Sequence, residues 1–147
     1  MKFRTLLYIL AGLLAIITGF LSLYFTGKSE DLKVFPATVN RDCAPWDGAA
    51  FTISIQYDMA SIQISIWKSP DMKLPVVFSF PDPSSRLGNA TYQPLFGPYR
   101  QLNGKVIFWR VDSENPIEGE FNFMLETGKS FKGKFKAEWE NQVVMCG

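Results

Sequence analysis

Two cysteines and no histidine set the chemical repertoire of this 147-residue chain. Without imidazole there is no His-based metal site, and no Ser-His-Asp or Cys-His arrangement for nucleophilic catalysis. Cys43 stands in Arg41-Asp42-Cys43-Ala44-Pro45-Trp46, and Cys146 is the penultimate residue. The two do not form a C-x-x-C motif, and Arg41 alone does not build an activated thiolate. In an oxidising compartment the expected product is one structural disulfide. It would join the start of a domain to its end and close a loop of about 100 residues. No metal site and no cofactor is expected.

The carboxylates offer little more. Asp42 and Asp47 bracket the first cysteine, and Asp112 and Glu114 share a turn with Ser113, Asn115 and Pro116. Glycoside hydrolysis needs two facing carboxylates, one with a raised pKa. Acids among Ser, Asn and Pro are what turn chemistry alone supplies, and that is the reading adopted. Ser65-Ile66-Trp67-Lys68 fits the S-x-x-K pattern of serine acyl-enzymes. That chemistry wants Ser and Lys one helical turn apart, whereas this stretch alternates as a strand and sends them to opposite faces. The match is accidental. Lys129, Lys132, Lys134 and Lys136 suggest an anion-binding patch. Glu120 and Glu118 are expected opposite Lys134 and Lys136, which makes the face mixed and solvated. Asn89-Ala90-Thr91 is a glycosylation sequon, meaningful only in a eukaryotic secretory pathway. With no nucleophile–base pair in view, the chain reads as a non-enzyme.

Residues suited to binding are easier to find. Between Tyr92 and Asn103 run two prolines, three aromatic rings and an arginine. A stiff aromatic loop on a β-scaffold makes a recognition surface, through Tyr and Arg anchors or through stacking on a sugar. Tyr92, Phe96, Tyr99 and Arg100 are the candidates, with Trp67 as a further platform. The competing reading folds this loop back over the open end of the domain, where its rings complete the core.

The elements that position these residues are strands. Residues 50–57 alternate Phe51, Ile53, Ile55 and Tyr57 against polar neighbours, and residues 61–68 alternate Ile62, Ile64 and Ile66. Joined through Asp58-Met59-Ala60, they read as a hairpin with one wet face. Residues 73–80 and 104–111 are apolar on both faces, as interior strands are, although Pro75 makes the former start late or lie at an edge. Residues 89–93 form a weaker strand and 143–146 a short last one. The clearest hairpin pairs residues 117–125 with 129–139 across Glu126-Thr127-Gly128, a type I turn with a G1 bulge. Its register sets Phe123 opposite Phe131 and Glu120 opposite Lys134. Gly133 then faces Phe121 and leaves room for that ring.

The first 27 residues are of a different kind. Residues 6–25 are 20 consecutive uncharged residues, which as a helix would span about 30 Å, the thickness of a bilayer core. Lys2 and Arg4 precede the run, while Lys28, Glu30, Asp31 and Lys33 after it cancel. The positive-inside bias predicts a cytoplasmic N-terminus and an exported C-terminal part. A cleaved signal peptide is the rival, disfavoured by the length of the run and the lack of an A-x-A site. Ala11, Ala15 and Gly19 would share one face, where small residues let helices pack closely.

The expected architecture is therefore all-β, an antiparallel β-sandwich or small barrel of seven to eight strands behind one N-terminal transmembrane helix. Residues 1–27 form the cytoplasmic stub and signal-anchor, 28–41 a tether, and 42–147 an exported, disulfide-closed β-domain. Lys+Arg number 15 against 14 Asp+Glu, too balanced for nucleic acid. The expected setting is the inner or plasma membrane, crossed once, with the domain periplasmic or extracellular. The expected role is that of a non-catalytic accessory or assembly protein binding another protein or itself through the helix. The alternative is a carbohydrate- or lipid-binding module of the cell envelope.

Overall fold

A computed structural model describes residues 32–70, 72–140 and 144–146 of the chain. The expected membrane helix, with Ala11, Ala15 and Gly19, lies outside the described residues. The described part is all-β and contains no helix. Nine strands follow in order: β1 (Val34–Cys43), β2 (Ala49–Tyr57), β3 (Ala60–Ile66), β4 (Val76–Phe80), β5 (Gly88–Pro94), β6 (Arg100–Gln101), β7 (Asn103–Arg110), β8 (Ile117–Met124) and β9 (Ser130–Trp139). They make one sheet in the order β4-β7-β8-β9-β1-β2-β3-β5-β6.

The sheet is a curled half-barrel. β6, at one end of the order, runs through Leu102 into β7, one strand in from the other end. Leu102 is buried, and its N–H donates to Ala90 O at 2.9 Å. The two ends of the sheet are thereby drawn together around a single core. Phe51, Phe108, Phe121, Phe123 and Phe131 fill that core with Ile53, Ile55, Ile62, Ile64 and Ile66, all fully buried. Of the expected sandwich or small barrel, the all-β class holds, and the strands form one curled mixed sheet in place of two packed layers. A curled sheet needs inward residues on one face only, so it shows the same alternation as a sandwich strand.

The tether expected at residues 28–41 is corrected too, because Val34–Cys43 is a strand in mid-sheet. It pairs antiparallel with β2 and parallel with β9, the one parallel pairing in an otherwise antiparallel sheet. Phe35 and Val39 point inward and are buried, with Ala37 packed on the core between them. Pro36 is tolerated there because pairing to β2 begins one residue later, at Ala37, so its missing N–H costs that ladder no bond. The short last strand expected at residues 143–146 is not formed by the described Val144, Met145 and Cys146.

Other expectations hold. β2 and β3 form the hairpin, closed by the two-residue turn Asp58-Met59 with Tyr57 opposite Ala60. β4 begins after Pro75 and lies at an edge of the order. In β8–β9 the register sets Phe123 opposite Phe131, Glu120 opposite Lys134 and Glu118 opposite Lys136. Gly128 has φ 86°, as the bulged turn demands. The charges sort differently from the register, since Glu118 pairs with Arg110 at 3.3 Å and Lys136 with Glu138 at 3.9 Å. The space beside Gly133 belongs to Phe35, not Phe121: a Cβ there would meet the Phe35 ring, with Cδ2 at 2.6 Å.

Cys43 and Cys146 form the disulfide, across a sequence separation of 103. It ties the end of β1 to the tail that follows β9.

Candidate functional site

Register divides the loops between two ends of the sheet. At one end the chain enters β1, β2 turns into β3, β5 runs out into residues 95–99, and β8 turns into β9. At the other lie the disulfide, Trp46 and Trp67, beside the ends of β1 and β3. The seven residues of β3 hold these ends about 20 Å apart.

The entry end carries the site. Phe96 is 86% exposed, Met59 76%, Leu95 63% and Tyr99 60%. A folded surface always shows scattered apolar atoms, but four such side chains on two neighbouring loops are a patch. Residues 95–99 do not fold back as a lid, so the rival reading of that loop is overturned for Phe96 and Tyr99. With Pro94 closing β5 and Pro98 in the loop, this stretch has few N–H groups to pair and stays on the surface.

A rigid aromatic floor supports the patch. Phe35 stacks on Tyr57 with centroids 4.6 Å apart, Tyr57 meets Phe131 edge-on at 5.3 Å, and Phe131 lies 5.0 Å from Tyr92. Tyr92 is thus half-buried on the core and not a free platform. Above this floor opens a shallow cleft of about 420 Å³ lined by Tyr57, Asp58, Met59, Tyr92, Phe96 and Lys129, among others. Lys129 Nζ sits 5.4 Å from the Tyr92 centroid and 5.3 Å from that of Phe131, a cation held over two ring faces. Lys33 Nζ lies 4.8 Å from the Phe35 centroid. Arg100 is exposed, pairs by register with Tyr92, and shares a smaller hollow with Glu126. Among the described residues the charges around this patch include the cations Lys33, Lys129 and Arg100 and the acids Asp58 and Glu126, with Lys105 and Lys132 further along beside Met124.

Trp67 does not join them. It lies at the disulfide end, 5.5 Å edge-on from Trp46, and its backbone N–H donates to Leu87 O at 3.0 Å. The structure therefore gathers Tyr92, Phe96, Tyr99 and Arg100 and leaves Trp67 about a strand length away. Met59, Leu95 and Lys129 were missed. The signal was Met59 itself, an apolar residue at the tip of a two-residue turn, where polar or glycine residues are usual.

Two of the four acids weighed for catalysis, Asp112 and Asp42, are engaged locally. Asp112 accepts the N–H of Asn115 at 2.6 Å and of Glu114 at 2.9 Å, bonds that hold its carboxyl below the usual carboxylate range. Asp42 accepts from Cys43 N–H at 2.8 Å and from Thr52 Oγ1 at 3.0 Å. The Ser65 hydroxyl shares a 2.9 Å hydrogen bond with Thr52. Among the described residues no three His, Cys, Asp or Glu side chains gather as a metal site would require.

Comparison of the chain with protein-family models, curated proteins and solved structures gives no match.

Proposed function

We propose that this chain is a single-pass, membrane-anchored extracytoplasmic module that does no chemistry itself. It works as an accessory protein, binding through the apolar entry end of its curled sheet. The observation that carries this reading is the exposure of Met59, Leu95, Phe96 and Tyr99 together on a floor of packed rings. Rigid aromatic anchors lose little conformational freedom on binding, which is why such residues dominate recognition surfaces. The non-catalytic part rests on Asp42, Asp112 and Ser65, whose side chains are already spent on their own turns and strands. The anchor rests on residues 6–25, and the disulfide suits an oxidising compartment.

Hydroxyl-radical footprinting in native membranes tests the working surface, with Trp46 as an internal reference. By exposure alone, Met59 and Phe96 stand above Trp46 at 52%. An occupied entry end should leave Met59, Phe96 and Tyr99 several-fold less oxidised than Trp46. Oxidation that simply follows exposure and intrinsic reactivity would refute the reading.

A further inference from the structure

The chain enters the β-domain at the end that carries the apolar patch, and the length of chain before that point bounds how far the patch can stand from a bilayer that holds residues 6–25. Six residues separate Phe25, the last of the uncharged run, from Leu32, the first described residue. Fully extended, those seven Cα steps reach about 24 Å. With residues 6–25 in the bilayer, the point of entry is held within that distance of the membrane. The disulfide end can stand a further strand length away.

Apolar exposure is concentrated accordingly. Val34, Met59, Leu95, Phe96, Tyr99 and Met124 all lie at the entry end and make six of the eleven exposed large hydrophobic residues among the described ones. Met59 and Phe96 are highly exposed side chains on turns that border a shallow, open cleft, not an enclosed pocket. Protein-binding hot spots sit in packed pockets ringed by neutral contacts, whereas protruding apolar tips flanked by cations suit the boundary between headgroups and acyl chains. Lys129 and Arg100 provide such cations beside the tips. Asp58 and Glu126 limit their excess, so the attraction is chiefly apolar.

We infer that the entry end lies on the anchoring bilayer itself: Met59, Leu95 and Phe96 enter the interfacial layer, Tyr99 sits at headgroup depth, and Lys129 and Arg100 contact lipid phosphates. This rests on the anchor and on the working surface proposed above, and names the lipid surface as the occupant. The membrane then fixes the orientation of the domain and presents its disulfide end outward.

The test uses the full-length chain in nanodiscs of phosphatidylcholine and phosphatidylglycerol. An environment-sensitive fluorophore is attached at Met59→Cys, Phe96→Cys or, as the distant control, Lys68→Cys, the native cysteines being paired. Labels on the tips should emit at shorter wavelength than the control. Seated about 5–10 Å into the interface, they should lose intensity about twofold or more when the lipids carry a nitroxide high on the acyl chain. Two water-like, unquenched tips in a chain that resists carbonate extraction would overturn this inference alone. Tips shielded but unquenched by lipid nitroxide would show that a protein covers them, and would also overturn it. Release of the chain by carbonate would overturn the anchor, and with it the lipid contact.

Discussion

Asp82 shows how much one half-buried side chain can organise. Its carboxylate accepts from Ser84 Oγ at 2.5 Å and from the backbone N–H groups of Arg86 at 2.9 Å and Leu87 at 3.0 Å. These bonds, the Ser84 hydroxyl first, lower its pKa from 3.8 to about 2. A carboxyl more acidic in the folded state gives stability that is complete above its unfolded pKa and disappears as pH falls through the folded one. Asp82→Ala should therefore differ from the parent most at neutral pH and converge with it between pH 3.8 and 2. Thermal midpoints across that range check this, and a constant gap would count against the hydrogen-bonded turn. At Gly133 the issue is space. An added Cβ would press on the Phe35 ring and stand 3.0 Å from Lys33 O. Overpacking of this kind costs about 1–3 kcal/mol, so Gly133→Ala should lower the urea midpoint by a corresponding amount. A midpoint equal to the parent's would mean Phe35 swings aside freely. Asp82 lies outside the recognition surface, and its change should leave footprinting at Phe96 as it is.

The hairpins were legible because period-two alternation, turn chemistry and charge agreed on one register. In β8–β9 a slip by one residue would have set Phe123 against Lys132, and the observed pairing is the one burial requires. β1 was not legible. Its Phe35, Ala37 and Val39 alternate correctly, but Pro36, Asn40, Arg41 and Asp42 give it the composition of a linker. What makes it a strand is tertiary: two partners, one of them β9, about a hundred residues on, reached by a parallel pairing that no local pattern announces. The site was half legible for the same reason. Aromatic content marked residues 92–100, while whether Tyr92 faced the core and Phe96 the solvent depended on where β5 ended. The distance of Trp67 from the others follows from β3 separating them, a consequence of strand direction that residue type does not carry.

At the scale of the whole molecule, a curled sheet whose core is one layer of inward side chains has to keep its two ends together. Leu102 does so at the seam, while the disulfide fastens mid-sheet β1 to the tail that follows its neighbour β9. Closing a loop of this length removes freedom chiefly from the unfolded chain, worth up to about 4.7 kcal/mol in the entropy model. Cys43→Ala/Cys146→Ala should therefore fold to the same sheet yet unfold at a clearly lower urea concentration. Its m-value should be steeper, because the unlinked unfolded chain exposes more surface. Trp139 reports on the native state of both forms. Its indole N–H donates to Asp112 O and Asn115 O, each at 3.0 Å, and Arg41 lies 4.9 Å from its ring centroid, close to the disulfide but not part of it. Unchanged near-ultraviolet dichroism with a lowered midpoint would locate the loss in the unfolded state. A lost dichroic signal would instead mean that the bond shapes the folded end of the sheet, and an unchanged midpoint that it contributes nothing to stability.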